Sequence, residues 1–289
     1  MESDSFYKKQ LKLKGWDKDS VRQQHPLIIG LGGIGCAIAI DMCRLGVSSI
    51  TIIDDDTVKD HSINRQLLYN SEDAHRKKHK VIAAKSELFR QHANETVIYS
   101  SRIDAVKSWS VVRDLIDKAT VVFQCINYGD YYDAAVSSYC LRKKVPLFMG
   151  GTDPLYGHLS SIFFQEYDGK PCFCCAHDLS KKDLLLELHP NKVHEHLDLG
   201  FLPRDNAPDN GGAVVYSTGI CAQMMVNMFI QYVHKREIPN TVLLNLISME
   251  LNKWSVEKKH GCIFCTELEY IQIQKEDYEE IKDENEILM

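Results

Sequence analysis

Apolar and polar positions alternate differently in the two parts of this chain. "PLIIG" is a short apolar run ending in Gly30, the pattern of a strand buried on both faces of a parallel sheet. Ile34 to Gly46 carries apolar residues at helical spacing, with Gly46 as the C-cap. "SITIID" predicts a second strand, and "TVVFQC" (Thr120 to Cys125) and "VPLFMGG" (Val145 to Gly151) predict later ones, with "DAAVSSYCLRK" as the helix between those two. Strands alternating with helices predict a Rossmann-like α/β fold, a mostly parallel sheet covered on both faces. After Gly151 the pattern changes. "HLSSIFFQE" and "TVLLNLISMELNKWSVEK" predict antiparallel strands that continue the sheet, "STGICAQMMVNMFIQYVHK" a strongly apolar helix, and "FLPRDNAPDNGG" a loop. The organisation expected is a polar helical arm over residues 1–24, one domain over 25–265, and an acidic, solvated tail over 266–289.

Composition narrows the function. A chain of 289 residues, 44% hydrophobic, can bury a large core, and its net charge of -6 gives no global attraction to nucleic acid or to an anionic membrane. The first twenty residues lack the apolar core of a signal peptide, and no run approaches membrane-spanning length, so the expectation is a cytoplasmic protein. Ten cysteines then read as thiols or metal ligands rather than as a disulfide framework.

Gly30, Gly32 and Gly35 form G-x-G-x-x-G between a predicted strand and a predicted helix, with Gly33 inside the turn. Such glycines let the backbone approach a phosphate seated on a helix N-terminus. Asp54 follows at the end of the second strand, where an acid takes ribose hydroxyls. NAD is the usual ligand of this pattern. What comes next points away from it: "SINRQ" supplies Arg65 and Gln66, and "KKHKVIAAK" supplies Lys80. Fixed cations suit the greater charge of a triphosphate. Arg65 taken alone is equally well read as a surface ion pair, and "RKKHK" alone as a solvated helix face.

Cys172 and Cys175 form one C-x-x-C pair and Cys262 and Cys265 a second. Two such pairs suit a closed tetrahedral zinc site, structural rather than catalytic. Cys174 offers an alternative register to Cys175. Cys36, Cys43, Cys125, Cys140 and Cys221 lie in apolar segments and read as core residues. His189, His194 and His196 could suggest another metal, but their polar segment has no matching cluster and reads as an ordinary loop.

With these motifs in order, the chain resembles the ThiF/MoeB family of adenylating enzymes, from about Phe6 to Cys265. The resemblance rests on "FYKKQLKLKGWD", "GLGGIGC", "IIDDDTV", "SINRQ", "HKVIAAK", "CINYGD", "KVPLF", "PCFCC" and "GCIFC". It implies Mg-ATP as the nucleotide, adenylation of the C-terminal carboxylate of a ubiquitin-like protein or a peptide, a homodimer, and a structural zinc. It implies that the turn from Gly30 to Gly35 cradles phosphate, that Asp54 binds ribose, and that Asp56, Ser62, Asn64, Arg65, Gln66, Lys80 and Asn127 surround the nucleotide. Lys9 stands where the family has an arginine that reaches the partner subunit's ATP. Ser62 replaces an asparagine, and Asn127 an aspartate that helps hold Mg2+ and the α-phosphate. The stretch from Phe201 to Gly219, which carries a thioester-forming cysteine in many members, has none. The expected reaction therefore ends at acyl-AMP and pyrophosphate. The alternative is a nucleotide-binding scaffold with impaired catalysis.

Overall fold

The apolar runs assemble into one eight-stranded sheet of order β3-β2-β1-β4-β5-β6-β7-β8. The computed structural model describes residues 6–92, 96–153, 158–167, 170–179, 212–260, 262, 264 and 265. Strands β1 (Pro26–Ile29), β2 (Ser49–Ile53), β3 (Val97–Ser101), β4 (Val121–Gln124) and β5 (Leu147–Thr152) run parallel. Strands β6 (Leu159–Gln165), β7 (Thr241–Asn245) and β8 (Glu250–Trp254) continue the sheet antiparallel. The mixed α/β sheet is thus the one the sequence predicts. Strand β3 was not among the expected strands. It lies at the sheet edge with alternating exposed and half-buried residues, so its sequence, "VIYSS", contains no continuous apolar run.

Helices cover both faces. On one face α2 (Gly33–Leu45), α4 (Lys80–His92) and α8 (Val215–Val233) share a core with Ile28, Phe123 and Phe148, with α1 (Lys18–Arg22) and α3 (Ser71–His75) at its margin. On the other face α5 (Trp109–Ile116), α6 (Asp130–Lys143) and α7 (Phe173–His177) pack with Leu27, Ile29, Val122 and Leu147. Gly46 closes α2 at φ +88°, a left-handed cap that glycine adopts without strain.

Within residues 6–24 the arm contains a three-residue 3-10 helix, Gln10–Lys12, and the single turn of α1, whose N-cap Asp17 accepts the Ser20 N–H. The Gln10 Nε2 donates to the Leu45 carbonyl at 3.0 Å, and Val21 is fully buried in the core. The acidic tail, the loop from Phe201 to Asn210 and His189, His194 and His196 fall outside the described residues. Among the described residues no helix is long and apolar enough to cross a membrane.

Candidate nucleotide pocket and cysteine cluster

The order β3-β2-β1-β4 reverses direction at β1, and a crevice at the strands' carboxyl ends is the usual place for a ligand in such a sheet. The glycine turn sits there. Gly30 has φ +93°, and a Cβ at this position would stand 2.4 Å from Ile126 Cγ2. A Cβ at Gly35 would stand 1.9 Å from the Gly30 carbonyl oxygen, so only glycine lets α2 approach the turn this closely. The first-turn amides of α2 have no intrahelical acceptor, and the helix N-terminus carries partial positive charge.

Asp54 holds this turn from the side. Its Oδ2 accepts the Leu31 N–H at 2.7 Å and its Oδ1 accepts the Asp56 N–H at 2.9 Å. Lys80, the first residue of α4 and 8% exposed, places Nζ 3.1 Å from Asp56 Oδ2 and 3.8 Å from Asp54 Oδ2. Burial acts to raise the Asp56 pKa, but the ammonium groups of Lys80 and Lys59 outweigh it and hold the carboxyl below its ordinary value. Ser62 is buried and its Oγ accepts the Lys59 N–H at 3.3 Å, which makes it part of a local turn. Asn64 is exposed and accepts from Arg65 Nη1 at 3.1 Å, and Arg65 also donates to the His61 carbonyl at 2.5 Å.

These elements border a cavity of about 490 Å³. Gly32, Gly33, Arg65, Gln66 and Asn127 line one part of it. Gln66 is 5% exposed, and its Oε1 has no hydrogen-bond partner, an acceptor suited to a ligand donor. Gly30, Gly35, Asp54, Asp56, Ser62, Asn64 and Lys80 do not line the cavity. Lys9 is exposed on the arm and does not line the cavity.

Sequence reasoning missed several lining residues. Gln124, at the end of β4, is buried; its Oε1 accepts the Ile126 N–H at 2.8 Å and its Nε2 donates to the Ile126 carbonyl at 2.9 Å and to Asp133 Oδ1. This amide fixes the turn that carries Asn127. A polar residue closing the apolar run "TVVFQ" was the available signal. Asp133, on the first turn of α6, was missed as well; Asp130, three residues past Asn127 and visible in the sequence as a carboxylate that could stand in there, lines the cavity with it.

The far part of the cavity lies where β5 meets the antiparallel strands and is lined by Gly150, Gly151, Ser161, Phe163, Thr241 and His177. The His177 ring lies 4.0 Å from the Phe173 ring and 6.0 Å from Phe163, and its Nδ1 donates to the Phe173 carbonyl at 3.1 Å. Nothing in the local sequence predicted this second wall, because it is assembled from segments far apart in the chain.

Cys172, Cys175, Cys262 and Cys265 converge, with all four sulfurs within 4.8 Å of one another. The Cys172–Cys175, Cys172–Cys262 and Cys175–Cys265 separations are 3.8, 3.7 and 3.4 Å, and no disulfide joins them. A tetrahedral zinc with ligands at about 2.3 Å requires sulfurs about 3.8 Å apart, so the donor set and its spacing fit that ion. Cys174 is buried and outside this group, so the C-x-x-C register is the one adopted. Cys36, Cys43, Cys140 and Cys221 are buried as expected, and burial pushes the Cys221 thiol up to about 12. Cys125 packs against the core as expected but is not enclosed by it. It follows β4 directly, is only half-buried, and lines the cavity, because the strand ends one residue before it.

The ThiF family model matches residues 7–263. The chain is 29% identical over 182 residues to the molybdopterin-synthase adenylyltransferase of Escherichia coli, covering 62% of this chain and 70% of that protein. Among solved structures, E. coli MccB crystallised with ATP superposes with a TM-score of 0.66 at 16% identity, over 86% of this chain and 68% of MccB. PaaA superposes with a TM-score of 0.66 at 19% identity, over 88% of this chain and 83% of PaaA. These structural likenesses concern the fold, whereas the family model spans the glycine turn, the cavity, Cys172, Cys175 and Cys262, and ends at Ile263. The chain therefore belongs to the ThiF family.

Proposed function

We propose that this chain is an ATP-dependent adenylyltransferase, which activates the C-terminal carboxylate of a ubiquitin-like protein or peptide as an acyl-AMP and releases pyrophosphate. The observation that carries this reading is the meeting of the glycine turn, Arg65, Gln66 and Asn127 around one cavity, with Lys80 paired to Asp56 and Asp54. The name of the E. coli relative and the ATP in the MccB crystal accord with it. The amides of Gly32 and Gly33 and the α2 N-terminus would hold phosphate, Asp54 would hold ribose, and Arg65 and Lys80 would neutralise the phosphates. Mg2+ would bind oxygen donors from Asn127 and the nearby Asp130 and supply charge neutralisation. Catalysis of the attack on the α-phosphorus is then positioning and neutralisation, and needs no protein nucleophile. The acceptor carboxylate would enter along the Gly151 and His177 side of the cavity.

The same reading makes zinc on the four cysteines structural, the assembly a homodimer in which Lys9 reaches the partner's nucleotide, and the compartment the cytoplasm. The buried Cys221 thiol is unsuited to thioester formation, since the thiolate is the nucleophile. Asn127 in the wall favours a second reading, a nucleotide-binding scaffold without turnover. ATP–pyrophosphate exchange with a panel of carboxyl-terminal peptides and ubiquitin-like proteins separates the two. Exchange supports the enzyme; ATP binding without exchange supports the scaffold. Thermal stabilisation by NAD that ATP does not match overturns both. A thiol-sensitive covalent adduct on non-reducing gels overturns the absence of a thioester.

A further inference from the structure

The Leu31 peptide, in the middle of the glycine turn and fully buried, is held at both ends. Its N–H donates to Asp54 Oδ2 at 2.7 Å. Its carbonyl accepts the Tyr69 hydroxyl at 3.0 Å and the Cys36 thiol at 3.3 Å. Tyr69 is 7% exposed and lies one turn beyond Gln66, to whose carbonyl its own N–H donates at 3.3 Å. Gln66 in turn donates its N–H to the Ser62 carbonyl at 2.9 Å. One hydroxyl therefore joins the segment bearing Arg65 and Gln66 to the segment bearing the glycine turn, and Asp54 joins that turn to Lys80.

We propose that Tyr69 is a positioning residue for the nucleotide: through the Leu31 carbonyl, and with Cys36 as the second donor, it locks the glycine turn and the Arg65–Gln66 segment in one relative placement. The inference rests on the ATP reading above. Peptide groups either side of Leu31 belong to Gly30 and Gly32, which offer little resistance to rotation, so an unclamped turn samples other orientations. Preorganised donors bind a phosphate without the entropy of ordering the loop. Burial raises the pKa of both the Tyr69 hydroxyl and the Cys36 thiol, so both remain protonated donors at neutral pH.

Titration calorimetry with Mg-ATP tests this on the full chain, comparing wild type, Tyr69→Phe, Cys36→Ala and Tyr139→Phe. Tyr139 is the control because its hydroxyl makes a bond of similar length, 2.9 Å to Asp117, away from the cavity. Tyr69→Phe is expected to weaken ATP about tenfold, and Cys36→Ala about threefold because a thiol is the weaker donor. Tyr139→Phe should leave ATP affinity unchanged. Amide exchange of residues 30–35 in the nucleotide-free protein should quicken in Tyr69→Phe alone of the two tyrosine variants. If Tyr69→Phe does not fold, the Cys36→Ala affinity and exchange decide. Wild-type ATP affinity and exchange in the folded Tyr69 or Cys36 variant overturn this proposal alone. Absence of ATP binding by the wild type overturns the ATP reading, and this inference with it.

Discussion

The parallel half of the sheet and its antiparallel extension are stabilised in different ways. Strands β1 and β4 are buried at every position, and β2 at four of its five. Strand β8 is exposed at all five positions, and β7 is buried only at Val242. The parallel half can rely on apolar burial on both faces. The β7–β8 hairpin has little such cover, and the chain that leaves it enters the cysteine cluster at Cys262 and Cys265. The two sides of the cavity also use glycine differently. Gly35, beside the phosphate turn, has no room for a Cβ, whereas a Cβ at Gly151, on the far side, meets only Ser161 Oγ, at 3.9 Å.

The largest expected effect would break the second half alone. Purified protein should hold one zinc per chain by metal analysis, and Cys262→Ser should cost more than about 4 kcal/mol. Hydrogen exchange should then rise across β6 to β8 well before β1 and β4; uniform loss across the sheet would erase the distinction. Next, Gly35→Ala should destabilise by about 3 kcal/mol, while Gly151→Ala should stay within about 0.5 kcal/mol in urea unfolding. A smaller step sharpens the nucleotide side. Lys80→Ala should weaken ATP on the order of tenfold and AMP less, by calorimetry, because on the proposed reading the lost charge neutralises phosphates that AMP lacks. Asn127→Asp should raise pyrophosphate exchange by strengthening Mg2+ binding; unchanged exchange at limiting Mg2+ would remove Asn127 from that role. The smallest effect is on acid stability. The folded Asp56 pKa lies below its ordinary value, so its contribution is present above about pH 4 and is lost as pH falls through the lowered pKa. The urea midpoint of Lys80→Ala should therefore fall less steeply in that window than that of wild type.

The parallel half was readable because its signals are local. "PLIIG", "SITIID" and "VVFQ" are continuous apolar runs, and Gly46 marks the end of α2 by the backbone conformation it adopts. The edge strand β3 escaped notice because only one of its faces is partly buried. Within the cavity, Gly32, Gly33, Arg65, Gln66 and Asn127 were visible as motif residues. Gln124 and Tyr69 were not, since each acts through a bond to a backbone group elsewhere in space, and an isolated polar or aromatic residue does not announce its acceptor. The His177 wall was hidden for a related reason, as it is pieced together from α7, β5, β6 and β7, segments far apart in the chain. The cysteine pairs are the exception, distant in sequence yet legible, because the C-x-x-C spacing encodes half a tetrahedron locally.

That distance has a consequence for biosynthesis. Cys172 and Cys262 are 90 residues apart, so the first pair leaves the ribosome with no complement. At about 5–20 residues per second, it waits roughly 5 to 18 seconds for the second pair to be made. During that interval β5 and β6 can form on the parallel half, but the cluster beside them stays open as two unmatched thiols. Closure is thus a late event in the life of each chain, and a nascent chain arrested between the pairs would carry a formed nucleotide turn beside an unfinished second wall.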